Sequence, residues 1–415
     1  MSRTSFGNRR PSRGFMAIES LEGADQTAAE IDIDTDSQHG DGADAALLDL
    51  KDTNTEVAEN DGAVDELENT VAALESLLET AEAAQETGGL DPVAADLLQK
   101  AVENETAPLG TPAEEIVPAL ENFSSPSSRR QATVMACESI KEWIDKVWAK
   151  IKELIQKGRD LAKKAYIAVK QFIQRIQPRI KALQEDAAKR NFSMPKSGNV
   201  TDKGEWALSE VDKLKTLGDT VLDSYTKAAI AHAKSIASAL SAGDEVKAAE
   251  EGKTEEKAEF SVPANLDKPV KLIAAIKDLP GGREFVAAGD TMTIRTKQGG
   301  STGGSNAASA ANEQQITSAL TTLAAVAKQV VDFEKNFQEK DRAQEEVIKA
   351  GDAFAKKAKA NDKGDDAAAR AAVNAAKNAG RLLDQPAKDT LNYLVTAING
   401  YCSTIAAHLK HYDKK

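Results

Sequence analysis

From Ile140 to Ile176 apolar side chains return at three- and four-residue steps, and Lys and Arg fill the opposite side of the same helical wheel. Ile140, Trp143, Ile144, Val147, Ile151 and Leu154 open the stripe, and Ile155, Ala162, Tyr166, Val169, Ile173 and Ile176 carry it on. This period fits a helix and not a strand, and so long a stripe needs other helices to cover it. Aromatic residues are 4 % of the chain and alanine supplies much of its 41 % hydrophobic fraction. The covering helices therefore meet through small side chains rather than around an aromatic-rich core. The predicted fold class is all-α: a long-helix bundle.

The polar side of the stripe is cationic. Lys146, Lys150, Lys152, Lys157, Arg159 and Lys163 lie along it, followed by Lys164, Lys170 and Arg175, with Trp143 and Trp148 near its start. Ser139 with Glu142 three residues on reads as a capping box that starts this helix, and Pro178 as its kink or end. The stripe permits three readings. It is an ordinary bundle helix with its charges in water, or a helix lying on anionic lipid with its tryptophans at the interface, or a face that binds nucleic-acid phosphates without sequence preference.

Charge divides the chain. Residues 1–138 hold 8 Lys/Arg against 29 Asp/Glu, residues 139–190 hold 14 against 6, and residues 191–415 are balanced at 31 each, within a net charge of -13. The acidic leader, 1–138, is dense in Asp, Gly, Thr and Ala from Glu19 to Asp61 and is expected to be largely disordered there. One amphipathic helix is expected near 62–86, where Val64, Leu67, Val71, Leu74, Leu77 and Leu78 recur at helical steps, and a weaker one at 92–104. Pro108, Pro112, Pro118 and SSPSSRR then read as an extended linker.

After the basic helix at 139–190, the helical body at 191–415 carries a helix at 203–242 and further helices at about 313–358, 365–382 and 386–411. Between them Phe285 and Val286, the Gly289-Asp290 pair, and alternating Met292 and Ile294 predict one small β-hairpin near 280–296. Chemistry-bearing patterns fail on inspection. KQGGSTGGS at 297–305 lacks the Lys-Ser/Thr of a phosphate loop and reads as a flexible connector. His408 and His411 have no carboxylate or thiol partner at metal spacing and read as exposed cations at a helix C-terminus. Cys137 and Cys402 have neither metal-ligand spacing nor a disulfide framework around them, and Cys402 reads as a small packed hydrophobe. No run approaches the ~18 apolar residues of a bilayer span, and no apolar signal-peptide region opens the chain. The expectation is a non-enzymatic protein without metal or cofactor.

The tripeptide Ala136-Cys137-Glu138 stands where the acidic part ends, just before Ser139. A protease that reads a small residue, any residue, then Glu would cut after Glu138 and free a chain beginning SIKEW. Further triplets of that kind are Ala17-Ile18-Glu19, Ser20-Leu21-Glu22, Ala73-Leu74-Glu75 and Ala119-Leu120-Glu121. With this leader, the Trp/Lys segment ESIKEWIDKVWAKIKELIQK and a long-helix body bearing the single insert LPGGREFVAAGDTM, the chain resembles the internal head proteins of giant phiKZ-like tailed bacteriophages.

That resemblance implies that the leader is a propeptide removed by the prohead protease, with Ser20-Leu21-Glu22 and Ala119-Leu120-Glu121 as alternative cut sites to Ala136-Cys137-Glu138. It implies other capsid and inner-head proteins as partners, non-specific contact with packaged double-stranded DNA, and membrane contact only on ejection. It places the protein inside the phage head, and in the host cytoplasm before assembly. The alternatives are a membrane-associating protein acting through the cationic helix and a bacterial cytoplasmic helical scaffold.

Overall fold

The computed structural model describes residues 41–107, 116–196, 200–202, 206–242, 271, 276, 278–288, 291–297, 306–360 and 365–415. Its first element, α1 (Asp41–Glu86), is longer than the leader's composition suggests. Leu50, Val57, Val64, Val71 and Leu78 recur every seven residues, and Thr53, Asn60, Leu67, Leu74 and Ala81 fall between them; all ten are buried. Such a repeat makes a seam along one side of a helix and calls for one long partner. Residues 41–61, expected to lack regular structure, are thus the first half of α1.

Gly88 and Gly89 end α1 with φ of 109° and 95°. A Cβ on Gly89 would come within 2.7 Å of the Arg129 backbone, so glycine is required there. Asp91 then caps α2 (Pro92–Thr106), accepting from the amides of Val93 and Ala94 at 2.9 and 2.8 Å. Ile116, Val117 and Phe123 are buried along the connection to the next helix, with a 3-10 turn at Leu120–Phe123.

The partner of α1 is α3 (Pro126–Ala188), which contains the basic helix. The two run antiparallel, since Glu82 pairs with Lys141 at 2.8 Å and Glu56 with Lys164 at 3.1 Å. Two sequence expectations are corrected here. Ser139 caps nothing: the N-cap is Ser125, accepting from the Ser128 amide at 3.3 Å, with Pro126 pre-set for the first helical position. Pro178 does not end the helix but lies inside it on an exposed face, with the buried Ile176 and Ile180 on either side. A mid-helix proline still forfeits one backbone hydrogen bond. Pro178→Ala is therefore expected to raise stability by about 1–3 kcal/mol in urea unfolding.

Beyond α3, β1 (Arg190–Pro195) pairs with a strand at the C-terminus, and β2 (Val200–Asp202) with β6 (Asn306–Ala308). The helix expected at 203–242 begins later, as α4 (Asp212–Gly218), a π-helical segment (Asp219–Tyr225) and α5 (Thr226–Ala242). Thr226 donates its hydroxyl to the Val221 carbonyl at 2.9 Å across that wider turn. The expected hairpin is present as β4 (Arg283–Ala288) and β5 (Thr291–Thr296), with β3 (Asp278–Leu279) added at the β4 edge. Its Gly289-Asp290 pair lies outside the described residues. Trp206 fastens this insert down by filling the space that a side chain on Gly281 or Gly400 would take.

Three helices and a strand complete the chain: α6 (Glu313–Asp332), α7 (Glu334–Ala360), α8 (Asp365–Lys410) and β7 (Tyr412–Lys414). The expected helix at 313–358 breaks at the buried Phe333, and α8 runs through Pro386 where two helices were expected. The apolar interior forms two clusters. The larger joins Leu47 and Leu50 of α1 to the second half of α3 and to the later helices. The smaller joins Val64 to Ala81 of α1, α2, Phe123 and the α3 stretch from Ala132 to Ile151, with Val373 of α8. No helix among the described residues is long and apolar enough to cross a membrane.

Candidate functional site

Most of the cationic side of α3 is already engaged by carboxylates of this same chain. Lys152 pairs with Asp352 of α7 at 2.9 Å, Lys163 with Asp341 at 3.2 Å and Lys170 with Glu334 at 2.8 Å. Lys164 meets Glu56 of α1, and Lys150 meets its own neighbour Glu153 at 2.7 Å. Arg159 is 8 % exposed and reaches Asp341 with both its Nε and a terminal nitrogen, the latter at 2.9 Å, and Glu345 at 2.8 Å. Lys146, Lys157 and Arg175 are exposed, with Lys146 over the Trp143 ring at 4.5 Å. Trp148 is 7 % exposed and belongs to the smaller cluster rather than to an outer face.

The Arg159 cluster has a pH signature. At Asp341 burial pushes the carboxyl up, but hydrogen bonds from Arg159 and Lys163 and their charges outweigh it and hold it below the ordinary range. Hydrogen bonds from Lys349 and then Arg159 bring Glu345 from 4.5 to about 2. Both carboxyls bind fewer protons folded than unfolded, so their contribution is complete above about pH 4.5 and is lost as pH falls toward 2. Thermal unfolding between pH 6 and 3 should show this as a falling midpoint, and Arg159→Met should flatten that fall.

The leader meets the body through a row of acids on α1. Besides the Glu82 and Glu56 pairs, Asp65 faces Arg381 at 2.6 Å and Lys377 at 3.2 Å on α8, and Glu68 also pairs with Lys377. Asn60 donates from Nδ2 to the Leu154 carbonyl at 3.0 Å, opposite Gly158, where a Cβ would lie 3.1 Å from that nitrogen. A buried asparagine in such a repeat fixes the register of the two helices.

The triplets at the junction lie in different surroundings. Ala136 and Cys137 are buried on the α1-facing side of α3, Glu138 is exposed and Ser139 half-buried, all within continuous helix. Burial first, then Glu82, raises the Cys137 thiol above its ordinary value. Ala119, Leu120 and Glu121 are exposed in the turn between α2 and α3, which Phe123 anchors and the Arg129 guanidinium holds by donating to the Phe123 carbonyl at 3.0 Å. Ser20, Leu21 and Glu22 lie outside the described residues. Exposed turns are where proteases cut most readily, because a helix must unwind before its backbone fits an active site.

His408 corrects another expectation. It is buried, and its Nδ1 accepts the Ala311 amide at 3.1 Å, so it ties the entry of α6 to the end of α8 instead of facing water. Cys402 is fully buried, with its thiol pushed up to about 12 by burial. The α1 side of the site escaped the sequence reading because Thr53 and Asn60 occupy core positions of its repeat. Counting the seven-residue period through those two polar residues would have extended the helix to its true start.

Comparison with protein families adds one finding: the model of the phiKZ-like phage internal head proteins matches residues 6–407. No curated protein and no solved structure matches the chain.

Proposed function

Because the chain belongs to the phiKZ-like phage internal head proteins, structural proteins of the virion interior, we propose that it is made as a precursor whose acidic leader is removed in the prohead, and that the remaining body lies against packaged double-stranded DNA. One observation carries this reading: the α1 carboxylates pair with cations of α3 and α8 that would otherwise face outward. The leader thereby neutralises part of the body before DNA arrives. Its own 29 acids against 8 bases oppose polyanion contact over a longer range.

Removal changes the sign of the molecule. The chain after Glu138 holds 45 Lys/Arg against 37 Asp/Glu, and after Glu121 it holds 47 against 38. The exposed turn favours Glu121 as the first cut by the prohead protease. A cut after Glu138 requires the opening turns of α3 to unwind, which follows more easily once α1 has left. Lys146, Lys157 and Arg175 then supply phosphate contacts together with the cations freed from α1, in the manner of sequence-independent binding. No catalytic role is assigned to any residue.

Mass spectrometry of purified particles tests the precursor reading. The body should begin at Asn122 or Ser139; bodies in the particles still covalently joined to the leader would refute it. The DNA reading has its own measurement. The trimmed body should bind duplex DNA of any sequence, with affinity dropping steeply as salt rises, and the full chain should bind more weakly at every salt concentration.

A further inference from the structure

The leader is held to the body by two different means, one covalent and one not. The covalent means is the single connection through residues 107–125. The other is the seam between α3 and α8: α1 packs on α3 along its length, and side chains of its Asn54–Glu68 stretch reach α8. Val64, Val71 and Leu74 of α1 share a closed apolar cluster with Ile140, Ile144 and Ile151 of α3, and Leu74 is 0 % exposed. The acids of α1 reach cations on both walls: Lys141 and Lys164 on α3, Lys377 and Arg381 on α8. Of the connection, Ile116, Val117 and Phe123 share the apolar cluster and stay with the body when the chain is cut after Ala107, whereas α2 stays with α1.

We propose that the α3/α8 seam is a binding site for an acidic amphipathic helix, and that its occupant after the connection is cut is the leader's own α1–α2 unit, retained as a separate chain. The inference rests on the cleavage reading only for when the cut occurs. Its consequence is a two-stage maturation. The first cut loosens nothing, and the body becomes cationic only when α1 leaves the seam. Cutting replaces a tethered partner, held at an effective concentration of the order of millimolar, with a free one, so retention then depends on the seam alone. While docked, Ala73-Leu74-Glu75 is protected, because Leu74 lies at the centre of the apolar cluster. A protease reaching that triplet must wait for α1 to open.

The test uses the full chain with a site for a sequence-specific protease inserted after Ala107. After complete cutting in roughly 0.1 M salt, the fragment ending at Ala107 should co-elute with the rest of the chain in gel filtration. Its appearance in a separate fraction, whatever the body then does, overturns the proposal. A second arm uses Lys377→Glu with Arg381→Glu, which leaves every α1–α3 apolar contact in place. Dissociation of the cut fragment should become about tenfold faster. A charge-reversed chain that keeps its fragment as tightly as the unaltered one overturns the part assigned to the α8 wall. Failure here is separable from failure of the cleavage reading, which is decided by where the body's N-terminus lies in particles and not by elution of purified protein.

Discussion

Leu74→Asp opens the molecule along the α1–α3 seam while the later helices stay folded. Leu74 is fully buried among Ile, Val and Leu side chains in the smaller apolar cluster. A carboxylate there loses the burial of the leucine and gains an uncompensated charge, a combined cost of about 4 kcal/mol or more. The cost falls on one cluster. The larger one, which includes Phe172, Tyr225, Leu323, Ile398 and Tyr401, has its own helices around it. Hydrogen exchange should therefore quicken across residues 62–86 and 132–151 while 313–332 and 390–410 keep their protection. Leu74→Met, close in volume, should cost less than about 1.5 kcal/mol and leave the exchange pattern unchanged. Uniform loss of protection across both clusters would show that they unfold as one unit.

Arg159→Met is the second large effect, and it acts in the body. The guanidinium is 8 % exposed and satisfies Asp341 and Glu345 together, so its removal leaves Asp341 with Lys163 and Glu345 with Lys349 as their remaining partners. Breaking one side of a fully buried pair costs roughly 3–5 kcal/mol. Glu345 is 40 % exposed and Lys163 still faces Asp341 at 3.2 Å, so the expected loss is nearer 2 kcal/mol. Denaturant unfolding at pH 7 reads the loss directly. At pH 3 the two carboxyls are closer to protonated in either state, and the difference between variant and parent should shrink.

How much of this was legible in the residues depended on the distance over which each signal acts. The stripe from Ile140 to Ile176 and the pair of apolar strands around Gly289-Asp290 are local patterns, and both appear as read. The start of α3 was misplaced because Ser139-Glu142 satisfies the capping rule as well as Ser125-Pro126 does. Only the packing of Ala132, Ala136 and Cys137 against α1 decides between them. Pro178 and Pro386 are breakers by propensity, but each lies in a helix whose neighbouring turns are held by buried side chains, and tertiary packing overrides the local cost. The pairing of β1 with β7 and the burial of His408 join residues far apart in sequence, for which no local pattern exists. The cationic face was legible as composition, but not as a site. Its partners are distributed over α1 and α7, and no spacing within 139–190 reveals them.

The stretch of α3 from Pro126 to Ile151 extends about 39 Å at helical rise. In the intact chain it is covered by residues of α1, α2 and the connection between α2 and α3, with Val373 the one buried apolar residue of the later helices in its cluster. Strip those residues away and this stretch becomes a bare arm: a helix with an oily flank, cantilevered from a stable base near Ile155, and without the tertiary packing from which most of its helical stability came. Such an arm seeks cover. In a crowded capsid interior it would either fray back to its base or wedge against whatever neighbour it meets, so trimming the front of this molecule gives it a reach that the untrimmed form does not have.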